Sequence, residues 1–300
     1  VILLALCGLF LGYWATRPTT TDVAVVKLTG NFDSDARVLK QKGLIRSTII
    51  LSLYFKLRDI RVQDGYYSLT GTSLKELSEA IMAGPNTNRI TFPEGYSVAQ
   101  MAQRLNSFGM DGDNFYASAK NQEGRLFPDT YFFDEKASTN EIIKKMTDDY
   151  NSRTAGINLT NEALIVASII EREAKKDDER AKIAAVYFNR IKQGMNLDAD
   201  PTVQYGRDLN LIVSQGLGST QLWQPLKAGE TKSLSSAYNT YVNGGLPPGP
   251  ICNPGLKSLQ ASINPEPNFD NLFFFHDKNG ESHFSNSFEE HQEFIKKYGL

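Results

Sequence analysis

Two glutamates one residue apart, Glu171 and Glu173, close the aliphatic stretch Ala163-Leu-Ile-Val-Ala-Ser-Ile-Ile170. On a helix each residue advances by about 100°. Glu173 then falls between the directions of Ile165, Val166, Ile169 and Ile170, at the centre of the apolar face. Glu171 falls about 160° away, beside Leu164, Ser168 and Lys175. Desolvation disfavours the ionised form of a carboxyl on an apolar face, so its pKa rises toward the range in which it holds and donates a proton near neutrality. That is the profile of a general acid. Periodicity leaves a second reading open, in which the helix ends near Ile170 and both glutamates are solvated.

Two other stretches collect chemically useful side chains, Asp200-Pro-Thr-Val-Gln-Tyr-Gly206 and Tyr238-Asn-Thr-Tyr241. Each places amide, hydroxyl and aromatic groups in what reads as a loop. Sugars present hydroxyls at their edges and C–H surfaces on their faces, so such mixtures suit carbohydrate grooves, although ordinary structural turns also use them. Other chemistries find less support. The three histidines, His276, His283 and His291, and the isolated Cys7 and Cys252 lack a close ligand spacing, so no metal site is expected. Gly216-Leu-Gly-Ser-Thr220 lacks a complete phosphate-cradling pattern, and no Gly-x-Ser-x-Gly elbow occurs. With a formal net charge of -2 from interspersed charges, no basic stripe marks a nucleic-acid footprint.

The elements that must carry these groups point to an α+β protein. Val23–Leu28 and Gly65–Leu69 have strand composition, and helices over 35–42 and 47–57 lie between them. This βααβ order over 23–87 makes a small subdomain, either a generic α+β module or a glycan-binding fold of LysM type. Capping boxes at Ser73 and Ser97 start helices over 74–83 and 98–106, with a strand over 88–92 between them. Residues 111–137 read as irregular, and 140–151 as a helix. After the helix carrying the glutamates, a second helix runs through Ile183, Val186, Tyr187 and Ile191 to Gly194. The last third is rich in Pro/Gly turns, with strands expected over 272–276 and 281–284. The apolar run Val1–Ala15 fits a truncated membrane anchor over 1–16, or the apolar segment of a signal peptide.

Taken in order, Ala167-Ser-Ile-Ile-Glu-Arg-Glu-Ala174, Val186-Tyr-Phe-Asn-Arg190, Asp200-Pro-Thr-Val-Gln-Tyr-Gly206, Tyr238-Asn-Thr-Tyr241, Gly245-Leu-Pro-Pro-Gly-Pro250 and Asn253-Pro-Gly255 closely resemble the YceG-like (MltG) endolytic murein transglycosylases. The resemblance continues upstream through Phe92-Pro-Glu-Gly95 and Leu126-Phe-Pro-Asp-Thr-Tyr131. It implies a bacterial inner-membrane, single-pass protein with a transmembrane anchor (1–16), a LysM-like subdomain (23–87), an intermediate α+β segment (88–150) and a mixed α/β catalytic domain outside the cytoplasm (151–300). It also implies a lyase that cuts the MurNAc–GlcNAc bond of nascent peptidoglycan glycan strands, leaves 1,6-anhydromuramyl ends and so terminates glycan polymerisation. No cofactor or metal is required. Peptidoglycan synthases are candidate partners.

By the same resemblance the catalytic residue is the second glutamate of the Glu-x-Glu pair, Glu173. Glu171 would orient neighbouring groups or pair with a cation. Asp200, Thr202, Gln204, Tyr205, Tyr238, Asn239, Thr240 and Tyr241 are candidates for positioning sugar or supporting the site. Two alternatives remain: a hydrolase using Glu173 with a second acid such as Asp200, and a wall-binding scaffold without turnover.

Overall fold

The computed structural model describes residues 20–299, which divide into two compact units. The first takes the chain up to Ile90 together with Thr130–Ala137. Its sheet has the order β1 (Val23–Leu28), β2 (Gly65–Thr70), β3 (Thr87–Thr91), β4 (Thr130–Asp134). β1 and β2 are antiparallel, with Val23 opposite Thr70 and Leu28 opposite Gly65. Between them run α1 (Phe32–Gln41), capped by the Asn31 side chain, and α2 (Thr48–Leu57), capped by Ser47. Gly43 lies two residues beyond α1 at φ 73°, a left-handed conformation that costs a glycine little and stops the helix. α3 (Leu74–Met82) begins with the Ser73/Glu76 capping box. Alternation along β1 buries Val26 and Leu28 against Leu39, Leu51, Phe55, Tyr67 and Leu69.

The second unit holds Thr91–Asp129 and everything from Ser138 onward. Its helices are α4 (Val98–Ser107), α5 (Gly112–Ala119), α6 (Thr139–Arg153), α7 (Asn161–Glu173), α8 (Arg180–Lys192), α9 (Asp200–Gln215), the single turn α10 (Glu230–Ser233) and α11 (Leu256–Ile263). The hairpin β5 (Phe273–His276) and β6 (Ser282–Ser285) is followed by α12 (Phe288–Tyr298). α7 is the central element. Val166, Ile169 and Ile170 pack against Ile183 and Tyr187 of α8 and against Ile251, while Leu164 and Ala167 meet Phe127, Tyr150 and Leu259 on the other side. Each fully buried aliphatic side chain contributes roughly 1.5–3 kcal/mol, so this helix is held rigidly where its last turn carries the two glutamates.

Several expectations change. Residues 111–137 are not irregular, because Asp111 caps α5 and Thr130–Asp134 adds β4 to the sheet of the first unit. The stretch 88–150 is divided between the two units. Asp200–Gly206 is the start of a helix rather than a loop. Pro201 sits in its first turn, where a missing N–H costs nothing, so a dipeptide that reads as a turn opens α9 instead. α7 continues to Glu173, which excludes the helix ending at Ile170. No helix among the described residues is long and apolar enough to cross a membrane, and the anchor expected over 1–16 lies outside them.

Candidate active site

Glu173 is the last residue of α7. The chain then turns extended at Ala174, whose N–H still donates to the Ile170 carbonyl at 2.8 Å. The Tyr187 hydroxyl, one helix away on α8, donates to Glu173 Oε1 at 3.3 Å. Protein atoms pack densely around this carboxyl, although the residue keeps part of its surface open to solvent. Burial pushes its pKa up to about 7, the nearby Asp200 carboxylate adds to the rise, and Tyr187, Arg172 and Arg190 oppose it. A group poised there can give up a proton and take one back at neutral pH.

Both glutamates of the pair are enclosed, because α7 is packed on two sides. The Glu171 side chain is only 6% exposed and faces Arg180, with Oε1 3.4 Å from Nη1. Its Oε2 accepts the Gly255 N–H at 3.0 Å. Gly255 is needed there, since a Cβ would lie 1.9 Å from Glu94 Oε1. Glu171 thus ties the end of α7 to the start of α11 and is neutralised by a cation.

The remaining candidates separate into two groups. Asp200, in the first turn of α9, is exposed and accepts from the Tyr241 hydroxyl at 2.7 Å. Burial and Asp200 together raise the Tyr241 pKa, so the phenol stays protonated and available as a donor. Asp200 and Tyr241 both act electrostatically on Glu173 or are acted on by it. By contrast, Thr202, Asn239 and Thr240 are fully buried and spend their polar groups on the protein. Thr202 Oγ1 donates to the Ala199 carbonyl at 2.7 Å and meets Thr240 Oγ1 at 2.9 Å. Asn239 Nδ2 donates to the Thr231 and Leu234 carbonyls, and its Oδ1 accepts the Tyr241 N–H at 3.1 Å. The two threonines fasten the 238–241 turn to α9 and Asn239 ties it to α10 and the residue that follows, so that Tyr241 reaches Asp200. Gln204 donates to the Gln224 carbonyl at 3.0 Å. Tyr205 and Tyr238 meet edge to face with centroids 4.9 Å apart. Gly206 permits that approach, since a Cβ would come within 2.5 Å of Ser236 Oγ.

A YceG-like family model matches residues 25–297. The chain belongs to the YceG-like family. It is 30% identical over 88% of its length to an endolytic murein transglycosylase of Bacillus subtilis, covering 81% of that protein. It is 28% identical over 89% of its length to an endolytic murein transglycosylase of Streptococcus pneumoniae, but spans only 56% of that longer relative. A crystal structure of a YceG-like protein from Listeria monocytogenes superposes with a TM-score of 0.59 at 26% identity, covering 90% of this chain and 98% of the other.

In this YceG-like chain several residues that matter to the site escaped the sequence reading. Arg190 of α8 donates from Nη1 to the Leu197 carbonyl at 2.7 Å and from Nε to the Leu272 carbonyl at 2.6 Å. It thereby fixes the approach to α9 and the position of Asp200. Only its place on a face of α8 could have suggested this, and the face turns inward onto backbone that the sequence does not locate. Arg172, between the glutamates, lies over the Trp223 ring at 3.9 Å. Glu123 is a second buried carboxyl, receiving the Val98 N–H, the Tyr205 hydroxyl at 3.0 Å and Asn253 Nδ2 at 2.9 Å. Burial pushes its pKa up to about 8 against those donors. Cys252 is also buried, with Sγ donating to the Ser168 carbonyl at 3.2 Å, and its thiol is raised well above the usual range. Among the described residues no cluster of His, Cys, Asp and Glu is arranged to hold a metal ion.

Proposed function

We propose that this protein is an endolytic murein transglycosylase in which Glu173 is the single acid and base. The observation that carries the reading is a carboxyl held near neutrality at the end of a rigid helix, bearing one hydrogen bond and retaining solvent access. In the protonated form Glu173 donates to the oxygen joining N-acetylmuramic acid to N-acetylglucosamine. As carboxylate it then takes the proton of the muramic C6 hydroxyl, which attacks C1 of its own ring and closes a 1,6-anhydro end without consuming water. Because nucleophile and electrophile belong to one ring, the effective concentration of the nucleophile is high. The Asp200–Tyr241 pair, next to Glu173, would stabilise the oxocarbenium-like state and position the sugar, with Gln204, Tyr205 and Tyr238 shaping the groove. Glu171, Thr202, Asn239 and Thr240 would support the site from behind.

Asp200 also favours a second reading, since hydrolysis by the common two-carboxyl route needs a second acid near the first. Mass spectrometry of digested sacculi separates the two. Anhydromuramyl ends made by the wild type and missing with Glu173→Gln support transglycosylation, whereas reducing ends overturn it. The wider reading places the chain at the bacterial inner membrane through an N-terminal anchor, with the βααβ element order of the first unit serving as a LysM-like glycan-binding module. Synthases that elongate the same strand are the natural neighbours of a terminating enzyme.

A further inference from the structure

Two adjoining cavities of the second unit share Lys120, Asn121, Glu123 and Tyr238, and Glu173 lines neither of them. The larger, of about 350 Å³, is polar. Lys120, Arg125, Asn121 and Asn161 line it, closed by Pro248-Gly249-Pro250. Its wall depends on Gly124, at φ 84°, where a Cβ would press to 2.8 Å from the Pro250 ring. The smaller, of about 190 Å³, is aromatic and aliphatic, with Tyr116, Leu209, Ile212 and Leu222.

The polar cavity carries more cationic than acidic side chains, and Asp208, which lines the smaller one, pairs with Arg207 at 3.4 Å. Lys120 and Arg125 are exposed and form no ion pair among the described residues, and Arg125 Nη2 donates to Asn161 Oδ1 at 2.8 Å. Asn161 opens α7, a helix of 13 residues whose positive dipole end therefore faces the same space. The one acid in the polar cavity is Glu123, whose raised pKa keeps it largely neutral at pH 7, so it does not repel an anion. Glu162, in the same helical turn, does not line it.

We infer that this cleft binds the peptide stem of the glycan substrate, with Lys120 and Arg125 receiving a stem carboxylate and the Tyr116–Ile212 end receiving alanine methyl groups. The inference rests on the transglycosylase reading and deepens it. Reach is consistent. The polar cavity lies against Asn161, Leu164 and Ile165, eight to twelve residues and hence about 12–18 Å along α7 from Glu173. An extended peptide hanging from the muramic lactyl group covers about 10 Å in three residues and about 17 Å in five. A bare sugar chain offers no carboxylate at that distance, and a peptide alternating methyl and carboxylate side groups matches both halves of the cleft.

The test compares the intact chain with Lys120→Met, Arg125→Met and the double variant, on glycan strands carrying stems and on the same strands stripped of stems by an amidase. The double variant should lose at least about tenfold in kcat/KM on stem-bearing strands, some 1.4 kcal/mol of recognition, and stay unchanged on bare strands. Arg125→Lys should retain most of the rate. Equal rates on both substrates, or an equal loss on both, overturns the assignment. A parallel titration reads the pocket without turnover. Free muramyl pentapeptide should bind wild type and Glu173→Gln alike and bind the double variant more weakly, and its carboxyl-amidated form should bind none of them well. Should the wild type release no anhydro ends, the transglycosylase reading fails while this titration still reports on the cleft. Lys120→Met removes an exposed side chain, so it separates loss of recognition from loss of folding.

Discussion

Glu173 and Glu123 are both buried carboxyls whose pKa values burial has raised, yet their surroundings prepare them for different work. Glu123 receives three donors, the Val98 N–H, the Tyr205 hydroxyl and the Asn253 amide, and joins the start of α4, the middle of α9 and the loop before α11. Glu173 receives one, from Tyr187, has the Asp200 carboxylate for a neighbour, and keeps an opening to solvent. A shifted pKa identifies a group that burial has stressed; it does not by itself identify one that reacts. What distinguishes them is how many donors each carboxyl receives, three for Glu123 and one for Glu173. Glu123 has spent its capacity on cohesion, whereas Glu173 has kept its own.

The sharpest test of that contrast is the paired substitution. Glu173→Gln should lower the rate of anhydro-end formation by about 100-fold or more, the scale of a lost general acid and base, with a thermal midpoint no lower than that of the wild type. Glu123→Gln should do the reverse, retaining most activity in folded protein but costing about 1–3 kcal/mol of stability, because an amide cannot accept all three donors. Equal catalytic losses in calorimetrically intact proteins would erase the distinction.

The pH dependence of stability comes next in size. A carboxyl whose folded pKa stands above its unfolded value binds a proton in the native state that the unfolded chain has already released. Its contribution is therefore complete below the unfolded value of 4.5 and is lost as pH rises through about 8 for Glu123 and about 7 for Glu173. Thermal midpoints should fall across that window in the wild type and fall less steeply in Glu123→Gln. A profile that is flat in the wild type would contradict the burial of these groups.

Smaller effects separate the neighbours of Glu173. Asp200→Asn removes a charge that raises the Glu173 pKa, so the alkaline limb of the rate profile should move to lower pH. Tyr187→Phe removes a donor that lowers it, so the same limb should move to higher pH, by less than about one unit. Shifts in one direction for both variants would mean that something other than the Glu173 proton controls the limb.

Much of the scaffold was legible because it rests on local rules. The capping boxes at Ser73 and Ser97 and the strands flanking Asp277–Gly280 follow from short-range hydrogen bonding and alternation, which need no distant partner. Asp200-Pro201 was misread because the same dipeptide opens a turn or a helix, and only packing against the 238–241 turn decides between them. Glu123 was invisible for a related reason. Its three donors lie 25, 82 and 130 residues away in the chain, and no periodicity links them.

The amino-acid order alone put Glu173 on the apolar side of its helix provided that the helix ran on past Ile170, and left open whether it did. Tertiary structure decided the rest. It enclosed the opposite side of α7 as well and so made Glu171 a tether to Arg180 and Gly255. It also set Asp200 and Tyr241 beside Glu173 through Arg190 and the buried threonines, and drew three donors onto Glu123. Desolvation and the number of donors reaching a carboxyl depend on chain segments far apart in sequence, and these settle which buried acid remains free to exchange its proton.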